Sequence, residues 1–262
     1  MRRDALPRLE AKSLKAQCVD QLERLVISGE LEVGETLPPE RELAKSLGVS
    51  RPVLHEAIVE LASRGFLAIE PRRGVKVRDY YREGTMAILE SIVLRDDWGF
   101  PPEVIADAAA FRRLIELECA RLAAGRRGGD CAAQLEAAAA RERELHARAA
   151  ALGGPPSGSL LDALTEFDVG FHALLARASG SRVLPLVMNS IAPAYRGLVR
   201  RFYATGPDLA RLGGQHAALA TAILEGRADG AVATMEAMLA EGVEAVLGME
   251  RGEGRDSRSS AS

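Results

Sequence analysis

In the run EFDVGFHALLARASGS, Asp168 and His172 stand four residues apart. On a helix this spacing sets a carboxylate and an imidazole on one face, where both can hold the same ion. Phe167, Phe171, Leu174 and Leu175 surround the pair and would bury that face. A second group of chemistry-bearing residues lies far upstream, in RELAKSLGVSRPVLHEAI. There Arg41 opens one short helical pattern, and Arg51 and His55 lie one turn apart at the front of the next. A helix N-terminus carries partial positive charge, so cations are mildly disfavoured there. Basic groups kept at that end imply a large external anion. Two short helices joined by a turn, with the second leading by its N-terminus, form the helix-turn-helix that enters the DNA major groove.

The elements that must hold these residues follow from apolar spacing and from breakers. Leu43, Ala44 and Leu47 share a face of the first short helix, and Gly48 supplies the residue tolerant of positive φ that ends it. Ser50 is a good N-cap for the second helix, and Pro52 is acceptable because first-turn amides lack an intrahelical partner. Val53, Ala57, Ile58 and Leu61 should face its core. Upstream, Leu14, Cys18, Leu22, Leu25 and Val26 make an amphipathic helix of the segment from Lys12 to Ser28. Gly29, Gly34 and the pair Pro38-Pro39 break the chain after it. Beyond Gly65, FLAIE and VKVRD alternate as strands around the turn PRRG, with Arg72, Arg73 and Lys76 on or beside the tip. Residues 1–79 thus read as a winged helix-turn-helix domain, and YYREG, within 80–85, as a linker. Residues 86–250 read as an antiparallel all-α bundle of about seven helices, at 85–96, 102–125, 130–151, 159–179, 181–204, 207–226 and 228–248. The stretch QLEAAAARERELHARAA reads as a solvated helix with acid–base pairs at helical spacing, and 251–262 as a disordered tail. The fold class expected is mainly α.

Bulk properties agree with this division. The 262 residues are 47% apolar but only 4% aromatic, which suits a helical core of Ala, Leu and Val. No apolar run approaches the ~18 residues that span a bilayer. The start MRRDALPRLE lacks an apolar leader, so a cytoplasmic protein is expected. Cys18, Cys119 and Cys131 are odd in number and unpatterned, which argues for reduced thiols acting as small hydrophobes. Net charge is −3 overall, yet it divides as +1 over residues 1–79 and −4 over the rest, and all four lysines fall in the first part.

The signature LPPERELAKSLGVSRPVLHEAIVELASRGFLAIEPRRGVKV resembles the GntR family of bacterial transcription regulators. The runs FRRLIELECARLAA, EFDVGFHALLARASGS and QHAALATAILEGRADGAVATMEAML are similar to the helical ligand-sensing domain, of FCD type, in its FadR-like subgroup. The resemblance spans roughly residues 12–248 and implies a ligand-responsive, DNA-binding homodimer on a palindromic operator. It carries Arg41, Ser50, Arg51, Pro52 and His55 to DNA-facing positions, with Arg72, Arg73, Gly74 and Lys76 in the wing. The family usually has Arg where this chain has His55, and often Ser or Thr where it has Pro52. An arginine makes bidentate contacts to guanine, whereas histidine donates one well-aimed bond. The resemblance also implies a divalent metal such as Zn or Ni on Asp168, His172 and His216, with the fourth family position occupied by Met238. A thioether is a soft, weak ligand. Three outcomes follow: water fills the gap, an effector carboxylate completes the shell, or the histidines bond a ligand with no metal. Arg112 matches the family's pocket-floor arginine, suited to clamping a carboxylate, and Tyr195 and Arg196 are candidate effector contacts on a facing helix.

The function expected is a repressor released by a small organic acid, sugar-acid-like or a dicarboxylate. An acyl-CoA-responsive, metal-free regulator of the same family is the alternative. A metal-dependent hydrolase would need a general base beside the metal. Glu166, two residues from Asp168, should face away, so an enzyme is not expected.

Overall fold

The computed structural model describes residues 13–93, 102–152, 154–207, 209 and 214–242. The chain divides after Ser91 into two compact units. The first begins with α1 (Leu14–Ile27), started by Ser13, whose Oγ accepts the Ala16 N–H at 3.1 Å. α1 buries Cys18, Val19, Leu22 and Val26, while Leu14 lies outside the apolar stripe and is exposed. α2 (Glu40–Leu47) stops at Gly48, which takes the left-handed conformation at φ 67°. α3 (Arg51–Arg64) follows at once. Ser50 sits at its cap position in extended backbone, but the hydroxyl makes no capping bond. α3 buries Leu54, Ala57, Ile58 and Leu61. Leu54 takes the place expected of Val53, because 54, 57, 58 and 61 form one narrow seam and position 53 is rotated ~100° from its centre.

Gly65 ends α3 at φ 100°, and a Cβ there would lie 2.8 Å from the Cα of Gly84. Only glycine meets both demands. β1 (Leu67–Glu70) then pairs antiparallel with β2 (Gly74–Val77), Leu67 opposite Val77 and Glu70 opposite Gly74. Val75 and Val77 point inward and Lys76 outward, as the period of two requires. Thr36 bridges to Lys76, so a short preceding stretch extends the pair. α4 (Tyr80–Glu83) and the greater part of α5 (Ala87–Val93) complete the unit. Residues 80–85 therefore pack on the winged domain: the Tyr80 ring lies 5.5 Å from that of Phe66, and the Thr85 N–H meets the Arg64 carbonyl at 3.4 Å.

The second unit contains α6 (Pro102–Gly125), a single 3-10 turn at Gly129–Cys131, α7 (Ala132–Ala150), α8 (Gly158–Ala178), α9 (Leu184–Ala204), α10 (Gln215–Leu224) and α11, residues 228–242. α8 is the hub, packing on α6, α7 and α9, while α10 packs on α6 and α7. Leu145, Leu160, Leu161, Leu164, Val169, Tyr195, Val199 and Tyr203 share one core, each large aliphatic side chain contributing ~1.5–3 kcal/mol of burial. α7 is more than a solvated helix: Leu135, Glu142, Leu145, His146 and Ala149 fall on a buried face, and two of those five are ionisable. Cys18 and Cys119 are buried free thiols, and burial pushes Cys119 up to about 12, so it serves as a small hydrophobe. Among the described residues no helix is long and apolar enough to cross a membrane. The end of the first expected bundle helix and the tail at 251–262 lie outside the described residues.

Candidate metal centre and nucleic-acid interface

α8 presents Asp168 and His172 on its buried face, and α10 brings His216 to them in its first turn. One donor atom from each of the three lies within 4.8 Å of the others, and all three residues are buried. His172 Nε2 stands 3.7 Å from Asp168 Oδ1, and His216 Nε2 stands 3.9 Å from Asp168 Oδ2.

What turns those ring nitrogens inward is a carboxylate behind each imidazole. Glu142 of α7 takes the Nδ1–H of His216 on Oε1 at 2.7 Å, and its Oε2 accepts the Ala217 N–H at 3.2 Å. Glu116 of α6 places Oε2 2.6 Å from His172 Nδ1, although off the line of a well-formed hydrogen bond. At that distance two lone pairs would repel, so Nδ1 carries the proton. Both histidines thereby carry a proton on Nδ1 and turn Nε2 toward Asp168, the arrangement that metal-ligating histidines use. Glu116 and Glu142 are fully buried. Burial alone would raise both carboxyls, but Arg112 and His172 hold Glu116 down at about 2, and His216 holds Glu142 below the usual range.

Asp168 is fixed from the other side by Tyr195, whose O–H donates to Oδ1, and by Tyr203, whose O–H meets Oδ2 at 3.3 Å. Burial pushes both phenols well above their ordinary value, so they remain donors. Phe167 and Phe171 wall the site, with ring centroids 5.3 and 4.5 Å from that of His216. His216 Nε2 has no hydrogen-bond partner among the described residues. The Nε2 atoms of both imidazoles and the Asp168 carboxylate converge in a buried, aromatic-walled space, where Arg112 donates to His172 Nε2 and the His216 Nε2 lone pair can take a cation. The donor set, nitrogen and carboxylate oxygen, suits a divalent ion such as Zn²⁺. Met238, at the expected fourth position, is partly buried on α11.

Arg112 of α6 joins this site. Its Nε donates to Glu116 Oε1 at 2.5 Å, one Nη donates to His172 Nε2 at 3.1 Å, and its guanidinium carbon lies 3.5 Å over the Tyr195 ring. Arg196 does not join it, because it is half-exposed and paired with Glu166, which itself faces away from Asp168. Arg113 likewise turns outward to Glu236. Four site residues escaped the sequence reading. Glu116 has a local signal, sitting four residues after Arg112. Glu142 and His146 share the buried face of α7, and His146 has both ring nitrogens unpartnered among the described residues. Burial lowers the His146 pKa, keeping the ring neutral. Nothing local marks Tyr203.

In the first unit, Arg41, Ser50, Arg51, Pro52, His55, Arg72, Arg73, Gly74 and Lys76 are all exposed. Glu40 links two of them, with Oε2 3.3 Å from Arg51 Nε and Oε1 3.0 Å from His55 Nδ1. The His55 bond is the main reason the Glu40 carboxyl is lowered. At the wing tip the Arg73 N–H closes a turn onto the Glu70 carbonyl at 3.0 Å, with Pro71 second and Arg72 third. Arg72 takes φ 64°, the left-handed region that a type II turn demands at its third residue and that glycine usually fills. An arginine there costs ~1–2 kcal/mol of backbone strain.

Comparison with known proteins gives consistent matches. A family model for bacterial regulatory proteins of the gntR family matches residues 14–77, and one for the FCD domain matches residues 107–241. The "Putative L-lactate dehydrogenase operon regulatory protein" of Escherichia coli K12 is 31% identical over 236 residues, covering 87% of this chain and 84% of that one. A "Fatty acid metabolism regulator protein" of Klebsiella pneumoniae is 30% identical over 172 residues, 66% of this chain and 65% of that one. The solved structure of Lar, which controls the agr system of Listeria monocytogenes, shares the fold at 17% identity and TM-score 0.59, covering 91% of this chain and 98% of that one.

Proposed function

The chain belongs to the GntR family and carries an FCD domain, a ligand-responsive DNA-binding transcription regulator, and from that premise we propose that it is a homodimeric repressor released by a small carboxylate. α3 enters the major groove by its N-terminus, with Arg51 and His55 facing bases and Arg41, Ser50 and Pro52 alongside. Arg72, Arg73, Gly74 and Lys76 carry the wing onto the phosphates. A two-fold dimer reads two like half-sites one helical turn apart, ~34–36 Å, so the operator is an imperfect palindrome.

Asp168, His172 and His216 hold a divalent ion, with Met238 leaving the fourth position open to water or to the effector. When bound, the ion supplies a Lewis-acidic site for a carboxylate oxygen. Arg112 supplies the second positive group for that carboxylate, and Tyr195 with Tyr203 keeps Asp168 aimed at the ion. The observation that carries this reading is the carboxylate behind each imidazole, Glu142 on His216 and Glu116 on His172. A structural histidine pair has no need of carboxylates that turn both Nε2 atoms toward a third carboxylate. Release requires only a bias between two states, and tenfold relief from the operator takes ~1.4 kcal/mol of coupling.

The test is a thermal-shift screen of sugar acids, dicarboxylates, L-lactate and acyl-CoAs, each with and without Zn²⁺. L-lactate is included because the Escherichia coli relative is named for a lactate operon. An effector at 100 times its Kd adds ~2.7 kcal/mol of stability. Stabilisation by a carboxylate only when Zn²⁺ is present supports the reading. Stabilisation by acyl-CoA alone, indifferent to Zn²⁺, replaces it with the metal-free alternative.

A further inference from the structure

We propose that Arg112 and the metal compete for one lone pair, the Nε2 of His172, so that loading the metal releases the guanidinium to take the effector's carboxylate. This rests on reading Asp168, His172 and His216 as the metal centre. His172 Nδ1, 2.6 Å from Glu116 Oε2, carries the ring's proton, which leaves Nε2 as its single acceptor. Arg112 holds that acceptor with one Nη at 3.1 Å. A metal–nitrogen bond of ~2.0–2.1 Å uses the same electron pair, so the hydrogen bond and the coordination bond exclude each other.

Two other contacts hold Arg112 independently of His172. Its Nε stays on Glu116 Oε1 at 2.5 Å and its guanidinium carbon stays over Tyr195 at 3.5 Å. These two contacts keep the guanidinium at the site once an Nη no longer donates to His172, so the released N–H is presented to a ligand there. A guanidinium is a planar fork that binds a carboxylate with two parallel bonds, and release from His172 adds one more N–H to those it can offer. In the closed arrangement Arg112 acts as a built-in cation between Glu116 and the imidazole, and the effector fork is half-occupied. In the loaded arrangement the ion takes over that charge. Metal and effector therefore strengthen each other by the same factor, since coupling between two binding events is reciprocal. A carboxylate arriving without metal finds one N–H of Arg112 already committed to His172.

The experiment uses the full-length protein and Zn²⁺ alone. Zn²⁺ affinity is measured by competition with a chromophoric chelator for the wild type and for Arg112→Met, and the arginine side-chain ¹⁵N signals of the wild type are followed through a Zn²⁺ titration. Removing the competing donor should tighten Zn²⁺ binding about tenfold. In the wild type, Zn²⁺ should shift the Arg112 Nη signals and speed their exchange with solvent. Equal or weaker Zn²⁺ binding by folded Arg112→Met overturns the competition, as do Nη signals unmoved at saturating Zn²⁺. Should Arg112→Met fail to fold, the wild-type titration decides alone. A wild type that binds no Zn²⁺ removes the metal centre itself, a result distinct from a wild type that binds Zn²⁺ while Arg112 stays in place.

Discussion

Replacing Glu142 by glutamine keeps its volume and alters only what its two oxygens do. In the protein Oε1 meets His216 Nδ1 at 2.7 Å and Oε2 accepts the Ala217 N–H at 3.2 Å, so both are committed. Glutamine offers one acceptor and one donor. With its oxygen toward His216, its NH₂ confronts the Ala217 N–H. Turned over, its NH₂ confronts Nδ1, and the imidazole relieves the clash only by moving its proton to Nε2, which destroys the inward lone pair. Either orientation loses one bond to a charged group, worth ~1.5–3 kcal/mol. Loss of the partner behind a metal-bound histidine commonly weakens metal affinity about 10- to 100-fold, or ~1.4–2.7 kcal/mol, so the two estimates agree. Zn²⁺ competition titrations on wild type and Glu142→Gln, with helix content checked by circular dichroism, measure this directly. A folded Glu142→Gln binding Zn²⁺ within twofold of the wild type would refute the claim that Glu142 sets the tautomer of His216.

Four other substitutions have expected outcomes. Arg51→Ala should weaken operator binding and relax base preference by ~1–3 kcal/mol at one position, while Lys76→Ala should weaken all sequences alike and flatten the salt slope, both read by fluorescence anisotropy across salt concentrations. Arg72→Gly should remove ~1–2 kcal/mol of left-handed strain yet lower DNA affinity, a rise in the melting temperature of the winged unit combined with a looser complex. Glu116→Gln strips the counter-charge from the largely buried Arg112 and should destabilise the helical unit by ~3–5 kcal/mol at pH 7. The Glu116 carboxyl is depressed to about 2, so its contribution is complete above the ordinary carboxylate value of 4.5 and disappears as pH falls through about 2. Denaturant titrations at falling pH should therefore show the gap between variant and wild type closing across that window, and a gap constant with pH would count against the pairing.

The winged unit was legible element by element because its signals are local. Gly48, Pro52, Gly65 and the alternation around PRRG each fix backbone shape within a few positions, and the observed elements fall where those residues put them. Asp168 and His172 were legible for the same reason, since four residues on a helix make one face. Legibility failed wherever a side chain's role depends on a partner far along the chain. Glu142 and His216 are 74 residues apart, and Tyr203 and Asp168 are 35 apart, so no spacing rule joins them. The α7 sequence reads as a charged, solvated helix, and only packing against α8 and α10 decides that Glu142 and His146 turn inward while Arg141, Arg143 and Glu144 stay in water.

Sequence alone thus determined the order of elements, the basic front of α3 and the wing, and the pair of donors on α8, because each is written in backbone propensity or helical period. Tertiary structure decided which carboxylates stand behind the histidines, which arginine enters the site and which leaves it. Arg112 and Arg196 look alike in the sequence. One finds Glu116, His172 and Tyr195 in a low-dielectric interior, where an unpaired charge is intolerable, and the other finds Glu166 at the surface, where water would have served nearly as well.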